Sequence, residues 1–488
     1  MTKQEFRELI SERIVCLDGA TGSNLQKRGM PAGVCPELWI TEHEDILLDL
    51  QRSYVGAGSD IIYAPTFSGN RIKMSEYGLA DRIEEINTKL VMLSRRAAGQ
   101  KAFVAGDITM TGAQLEPLGD LSFSELYEVY REQIAIIAGA GADLLVVETM
   151  MSLQETRAAV LAARDVCPDL PLMATLSFAE SGHTLYGTSA ESAVIVLQSL
   201  GADAVGLNCS AGPDQMTDVV KRMKKVASVP LIAKPNAGLP RIGKDGQTVY
   251  DMDADTFALH MRTILEAGAD IAGGCCGTTP EYIACLKEML RAYPGSAQRA
   301  STAGMAAGQS GFRETSAGAA AGQRSAAEPA ASGRQGDACS GRILYLADER
   351  RLYPFHEGQI LETGEGIDFR NNEELLEEYA EDVFDTAQDL AFDLQDDGAD
   401  ALLFCAAGLD HEADILIRAI ADVTGTVRMP VVVASDNPDI VRRCLTEYAG
   451  TAAVTAVSED ASVREEIENT AKLYGAARLS LDKEIRCC

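Results

Sequence analysis

Gly268-Ala269-Asp270-Ile271-Ala272-Gly273-Gly274-Cys275-Cys276-Gly277-Thr278-Thr279-Pro280 holds a helix end, a strand and a glycine-rich turn. Gly-Ala-Asp reads as a helix terminus followed at once by a strand start. The same signal occurs at Gly141-Ala142-Asp143 and Gly201-Ala202-Asp203, and as Gly58-Ser59-Asp60. Working outward, short β-branched runs alternate with amphipathic stretches from the start of the chain to about Leu290. The predicted strands are Ile14–Asp18, Ser59–Ala64, Ala102–Gly106, Asp143–Glu148, Pro171–Leu176, Ala202–Asn208, Val229–Lys234 and Asp270–Gly274. Phe123 to Ala138 and Leu153 to Val166 carry apolar residues at three- and four-residue spacing, which predicts helices. Eight strand–helix units in this length predict an α/β fold, a (β/α)8 TIM barrel over residues 1–294. A doubly wound open sheet is the competing reading, and the eight units favour closure.

The chain has 488 residues and a formal net charge of −30. That charge repels nucleic acid and anionic membranes, so neither is an expected partner. Twelve cysteines in a chain this long are not a disulfide framework. Met1-Thr2-Lys3-Gln4-Glu5-Phe6 lacks a basic stretch followed by an apolar one, and no apolar run approaches membrane-spanning length. These readings predict a cytoplasmic protein whose cysteines stay free for metals or catalysis.

Composition changes over residues 295–341, where Ala, Gly, Ser, Gln and Arg dominate. This reads as a flexible, disordered linker. A smaller α/β domain follows over 342–488, with about four strand–helix units. Its predicted strands are Ile343–Ala347, Ala401–Ala406, Pro430–Ala434 and Ala452–Val457, and Glu373 to Gln395 is predicted to be one long acidic helix. The tail Arg486-Cys487-Cys488 reads as a mobile end.

In a barrel the active site forms at the carboxyl ends of the strands. The unusual residues of this chain fall there: Asp18-Gly19-Ala20-Thr21, Thr66, Asp107, Glu148, Asn208-Cys209, Lys234-Pro235-Asn236, and the pair Cys275-Cys276. Cys209 lies 66 residues before Cys275, without a C-x-x-C pattern. By themselves the three cysteines admit a metal site, buried structural thiols, or a vicinal disulfide. Lys234 also admits a Schiff-base lysine of a barrel lyase or isomerase.

Four motifs narrow this: Leu17-Asp18-Gly19-Ala20-Thr21-Gly22, Gly206-Leu207-Asn208-Cys209-Ser210, Lys234-Pro235-Asn236-Ala237-Gly238-Leu239-Pro240, and Gly273 to Pro280. With them the first domain resembles the homocysteine S-methyltransferase family, and within it the homocysteine barrel of cobalamin-dependent methionine synthases. The resemblance implies a zinc-dependent transfer of a methyl group to homocysteine, making methionine. It implies Cys209, Cys275 and Cys276 as zinc ligands, with Asn236 as a candidate fourth ligand when substrate is absent. A turn residue is the other reading of Asn236. Glu148 resembles the residue that meets the substrate amine. Asp18 is a second candidate, or else a turn carboxylate. The amides of Gly19, Ala20 and Thr21 are candidates for the substrate carboxylate, while Thr66 and Asp107 share the rim.

The methyl donor is read as methylcobalamin on a partner corrinoid protein. No Asp-x-His-x-x-Gly motif for cobalamin occurs in this chain. Donors of the S-methylmethionine or betaine type are the alternative, as is a non-catalytic scaffold derived from methionine synthase. A betaine cage needs aromatic residues, and these total 6% with Trp39 the sole tryptophan. The second domain resembles a shortened, degenerate pterin-binding barrel over Gly398 to Val457 and at Asp348-Glu349-Arg350, and departs from it where only Asp436 remains of the family's Asp-Ser-Ser, followed by Asn437-Pro438. It is expected not to bind folate itself, and to dock a corrinoid or separate folate-binding protein, or to dimerise.

Overall fold

A computed structural model of the chain describes residues 1–116, 118–242, 248–291, 343–356 and 359–479, and the backbone of 485–486. The stretch 295–341 read as a linker lies outside the described residues, as do Cys487 and Cys488.

All eight predicted strands of the first domain form. They are β1 (Val15–Cys16), β2 (Ile61–Ala64), β3 (Phe103–Ile108), β4 (Leu144–Met150), β5 (Leu172–Leu176), β6 (Ala204–Asn208), β7 (Leu231–Lys234) and, after an inserted hairpin, β10 (Ile271–Ala272). The hairpin, β8 (Pro240–Ile242) and β9 (Thr248–Tyr250), was not expected from the sequence. The parallel sheet runs β1-β10-β7-β6-β5-β4-β3-β2. A parallel bridge between Leu17 and Ile61, and the bond from Asp60 N to Cys16 O at 2.7 Å, join its two edges. The sheet is therefore a closed barrel.

Alternation along each strand sorts the side chains. Val15, Leu17, Ile61, Tyr63, Ala105, Val146, Met173, Ala204, Ile232 and Ile271 fill the lumen. Their neighbours Cys16, Ile62, Val104, Val147, Ala174, Val205 and Ala233 face the surrounding helices. The first helix, Lys3–Glu12, starts with a capping box between Thr2 and Glu5. Its Phe6 and Ile10 pack into the lumen cluster. Lys3 pairs at 3.3 Å with Asp203, just before β6, and the N-terminal amine lies 4.0 Å from Asp143, just before β4. This helix thus closes the floor of the barrel, opposite the carboxyl ends of the strands.

The second domain is a five-stranded parallel sheet in sequential order: β14 (Ile367–Asp368), β15 (Leu402–Cys405), β16 (Val431–Ala434), β17 (Ala453–Thr455) and β18 (Ala477–Arg478). Four crossovers join them, in agreement with four strand–helix units. Phe404, Val431 and Val433 pack against the helices. Leu403, Cys405, Val432 and Ala434 face the other way, onto Leu346, Phe355 and Leu361. Those three come from the antiparallel hairpin β11 (Ile343–Ala347) and β12 (Leu352–His356), and from β13 (Leu361–Glu362). Ile343–Ala347 is thus not a strand of the parallel sheet, as the sequence suggested, but part of a cover on its open face.

The acidic helix is two helices, Glu373–Ala380 and Asp385–Asp396. The chain turns at Asp382, whose φ of 60° is left-handed, and Val383 N bonds back to Glu378 O at 2.9 Å. The two domains meet at the barrel helix Leu153–Val166. Its Arg157, 1% exposed, donates to the carbonyls of Leu445 and Thr446 at the end of the helix Pro438–Glu447. Gln154 donates to Thr446 O and Glu447 O, both at 3.0 Å.

Candidate metal centre and substrate cavity

Cys209 follows β6, and Cys275 and Cys276 follow β10. Their three sulfurs lie within 4.8 Å of one another, the only such metal-ligating group among the described residues. Cys209 and Cys276 Sγ are 3.6 Å apart. A disulfide would bring them to about 2 Å. Two thiolates on one tetrahedral zinc, each bonded at about 2.3 Å, sit about 3.8 Å apart. The spacing therefore fits thiolates around a zinc, and all three cysteines are free.

The local backbone explains the convergence. Cys209 has a φ of 51°, a left-handed conformation costly for a side-chain-bearing residue, and this turns its sulfur toward the pair. Cys275 N donates to Pro235 O at 2.7 Å, and Ala237 N to Cys276 O at 2.9 Å, which stitches the turns after β7 and β10 together. Gly277 has a φ of +84°, and a Cβ there would lie 2.4 Å from the Tyr250 ring. Glycine at that position is what lets the β9 tyrosine pack over the pair. Bonds from Cys209 and Cys275 hold the Cys276 thiol well below its usual value, and bonds with Cys275 and then Cys276 push Cys209 up.

The sulfurs border a cavity of about 300 Å³ at the carboxyl ends of the strands. Asp18, Asp107, Glu148, Lys234 and Tyr63 line its deep side; Leu25, Met30, Ile40 and Phe67 line an apolar side. Lys234 does face this lumen, because it lies two residues after Ile232. Its ammonium is 3.6 Å from Asp18 Oδ1 and 3.9 Å from Glu148 Oε2, and 4.5 Å above the Tyr63 ring. Burial alone would lower its pKa, but the two carboxylates hold it well above the ordinary lysine value. Burial pushes Asp18 up to about 6 and Glu148 up to about 8, each against the pull of Lys234. Asp107 is driven well above the usual carboxylate range by burial and then by Glu148.

The other candidates divide. Asp18 Oδ2 accepts from Tyr63 N at 2.8 Å, and its Oδ1 is buried with no hydrogen-bond partner. Asn236 is buried, and its Oδ1 likewise has no hydrogen-bond partner. Gly19, Ala20 and Thr21 all line the cavity, but the amide of Ala20 is already given to Thr278 Oγ1 at 3.1 Å. Thr66 does not line it; its hydroxyl exchanges bonds with the backbone O and N of Asp107 at 2.7 and 3.0 Å. Sequence reasoning missed Glu37, a buried wall carboxylate that accepts from Ser68 N at 2.8 Å. It also assigned no role to Tyr63, Tyr250 or Asn208. Strand alternation was the signal available for Tyr63 and Lys234.

Residues 15–290 match the family model for homocysteine S-methyltransferase. The chain belongs to that family. It is 31% identical over 298 residues to methionine synthase of Mycobacterium tuberculosis, an alignment covering 57% of this chain and 25% of that protein. To methionine synthase of Mycobacterium leprae it is 30% identical, covering 57% and 24%. The chain thus spans about a quarter of the length of the curated relatives it matches. Among solved structures it is similar to the metallated form of the homocysteine methyltransferase MmuM from Escherichia coli. The identity there is 22% and the TM-score 0.48, covering 58% of this chain and 98% of that one. The methyltransferase has no helix among its described residues that is long and apolar enough to cross a membrane.

Proposed function

We propose that this methyltransferase is zinc-dependent and methylates the sulfur of homocysteine to make methionine. The observation that carries the reading is the convergence of Cys209, Cys275 and Cys276 on one point. The Oδ1 of Asn236, whose neighbour Ala237 bonds to Cys276 O, is buried without a hydrogen-bond partner. The three cysteines would hold the metal, with Asn236 as the fourth ligand until substrate replaces it. Zinc bound there supplies the Lewis acidity that draws the proton from a substrate thiol and keeps the sulfur as a thiolate at neutral pH.

The chain's own residues do the rest. Glu148 and Asp18 receive the substrate ammonium, and Lys234 keeps both carboxylates in place. Lys234 offsets one of the two carboxylates, and the substrate ammonium offsets the other. Gly19 and Thr21 line the cavity and would offer their amides to the substrate carboxylate, and Ala20 supplies wall. The substrate sulfur then forms its bond to the methyl carbon, while the bond from methyl to its carrier breaks and the electron pair stays with the carrier. The thiol proton leaves to solvent.

For the carrier we favour methylcobalamin on a partner corrinoid protein. Among the described residues Tyr63 and Phe67 are the aromatic side chains lining the cavity, fewer than a cage for a quaternary ammonium needs. The second domain, read as a shortened pterin-binding barrel, has its inner face covered by Leu346, Phe355 and Leu361. Among the described residues that covering occupies the face on which a barrel lumen would open, and it supports a docking or structural role. A reducing compartment such as the cytoplasm suits the free thiols.

Zinc stoichiometry of wild type and Cys276→Ala tests the reading. One tightly bound zinc per chain in the wild type and none in the variant is expected. A wild type purified anaerobically without zinc overturns it. Assays with methylcobalamin and with S-methylmethionine then identify the donor.

A further inference from the structure

Asn208 is fully buried and sits where the metal centre and the carboxylate cluster meet. Its Oδ1 accepts from Thr149 N at 2.8 Å and Thr175 Oγ1 at 2.9 Å. Its Nδ2 reaches three acceptors: Thr149 Oγ1 at 2.7 Å, Glu148 Oε2 at 3.3 Å and Cys275 Sγ at 3.9 Å. An amide has two N–H groups, so one serves Thr149 and the other is shared between Glu148 and Cys275. Two strained residues border this point. Thr149 has a φ of 59° at a bulge in β4, and Cys209, next to Asn208 in the chain, has a φ of 51°. The side chain thus pins the turn that carries Glu148, and its backbone carries Cys209. A buried asparagine that only satisfied the sheet would have no bond to either functional group.

We infer that Asn208 is a positioning residue that sets the separation between the amine-binding carboxylate and the sulfur site, and so selects a four-carbon thiol amino acid over cysteine. The inference rests on the proposed function, in which Glu148 holds the substrate amine and the metal holds its sulfur. A substrate fixed at both ends must match the distance between the two anchors. Homocysteine is one methylene longer than cysteine, and a rigid site discriminates such a pair by about 10–200-fold. Among the described residues, Asn208 is the side chain that bonds both to Glu148 and to Cys275.

The test uses the full chain loaded with cobalt(II), whose thiolate charge-transfer absorption reports both metal binding and the arrival of a further thiol. Asn208→Asp keeps the acceptor for Thr149 N and Thr175 but places an anion beside Glu148 and Cys275. Asn208→Ala removes the side chain, and the aspartate variant keeps the test valid should the alanine variant not fold. Titrations with homocysteine and with cysteine give two dissociation constants. Both variants are expected to bind one cobalt. Homocysteine should bind at least about tenfold more weakly, with cysteine changed much less, so that the preference collapses. An unchanged ratio overturns the inference. So does loss of the metal, which would make Asn208 a support of the metal turn alone. A wild type that binds neither cobalt nor zinc fails the proposed function first. A wild type that binds metal and prefers homocysteine, matched by both variants, sinks this inference only.

Discussion

Glu148 and Asp18 must be ionised to hold an ammonium, yet burial pushes them up to about 8 and about 6. Homocysteine affinity should therefore rise with pH through this range, beyond what thiol ionisation contributes. Glu148→Gln removes one of the two titrating groups. It should weaken homocysteine binding by about tenfold or more at pH 8, flatten the slope of affinity against pH between 6 and 8, and leave zinc content unchanged. Calorimetric titrations across that range check all three. The same shifts act on folding. A raised carboxyl binds more protons folded than unfolded, so the Asp18 contribution falls as pH rises from about 4 to about 6. Asn236→Ala should weaken zinc by roughly tenfold in substrate-free protein and much less with homocysteine present, as a chelator competition would show. The cysteines were legible because each stands just past a predictable strand end. The placement of Lys234 was legible in principle, since Ile232 two residues earlier points inward. The use of the Ala20 amide by Thr278 was not, because it joins positions 258 residues apart.

Among the elements, the helix Leu153–Val166 carries the junction between domains. Arg157 fills the carbonyls at the end of a helix from the other domain, where a cation is favoured. Its guanidinium is buried enough to bring its pKa down to about 10. Arg157→Ala should cost about 1–3 kcal/mol by leaving the Leu445 carbonyl without its donor, while Gln154 keeps that of Thr446, read from urea denaturation. The barrel strands were legible from their period and their Gly-Ala-Asp starts. The break at Asp382 was not, since neither glycine nor proline marks it and the acidic pattern runs through. The β8–β9 hairpin was hidden too. Its strands have three residues each and their side chains are mostly exposed, so no alternation announces them.

At the scale of the molecule, a catalytic barrel is held against a smaller sheet whose inner face is covered. Methyltetrahydrofolate should not be retained by the full chain in equilibrium dialysis, and retention would show that the hairpin β11–β12 can vacate that face. What the sequence could not show was this cover. Ile343–Ala347 has the composition of a central strand, and only its pairing with Leu352–His356 makes it a cover.

The helix Lys3–Glu12 that closes the barrel floor has a kinetic meaning. A chamber with a single entrance receives two reactants only in sequence, the deeper one first. On the proposed function the amino-acid thiol goes to the sulfurs, and the methyl carrier must then stand in the doorway. Departure runs in reverse: the spent carrier withdraws before methionine can escape. On the proposed function, order of addition and release would follow from the filled lumen together with the ten residues that cap it at the far end from the chemistry.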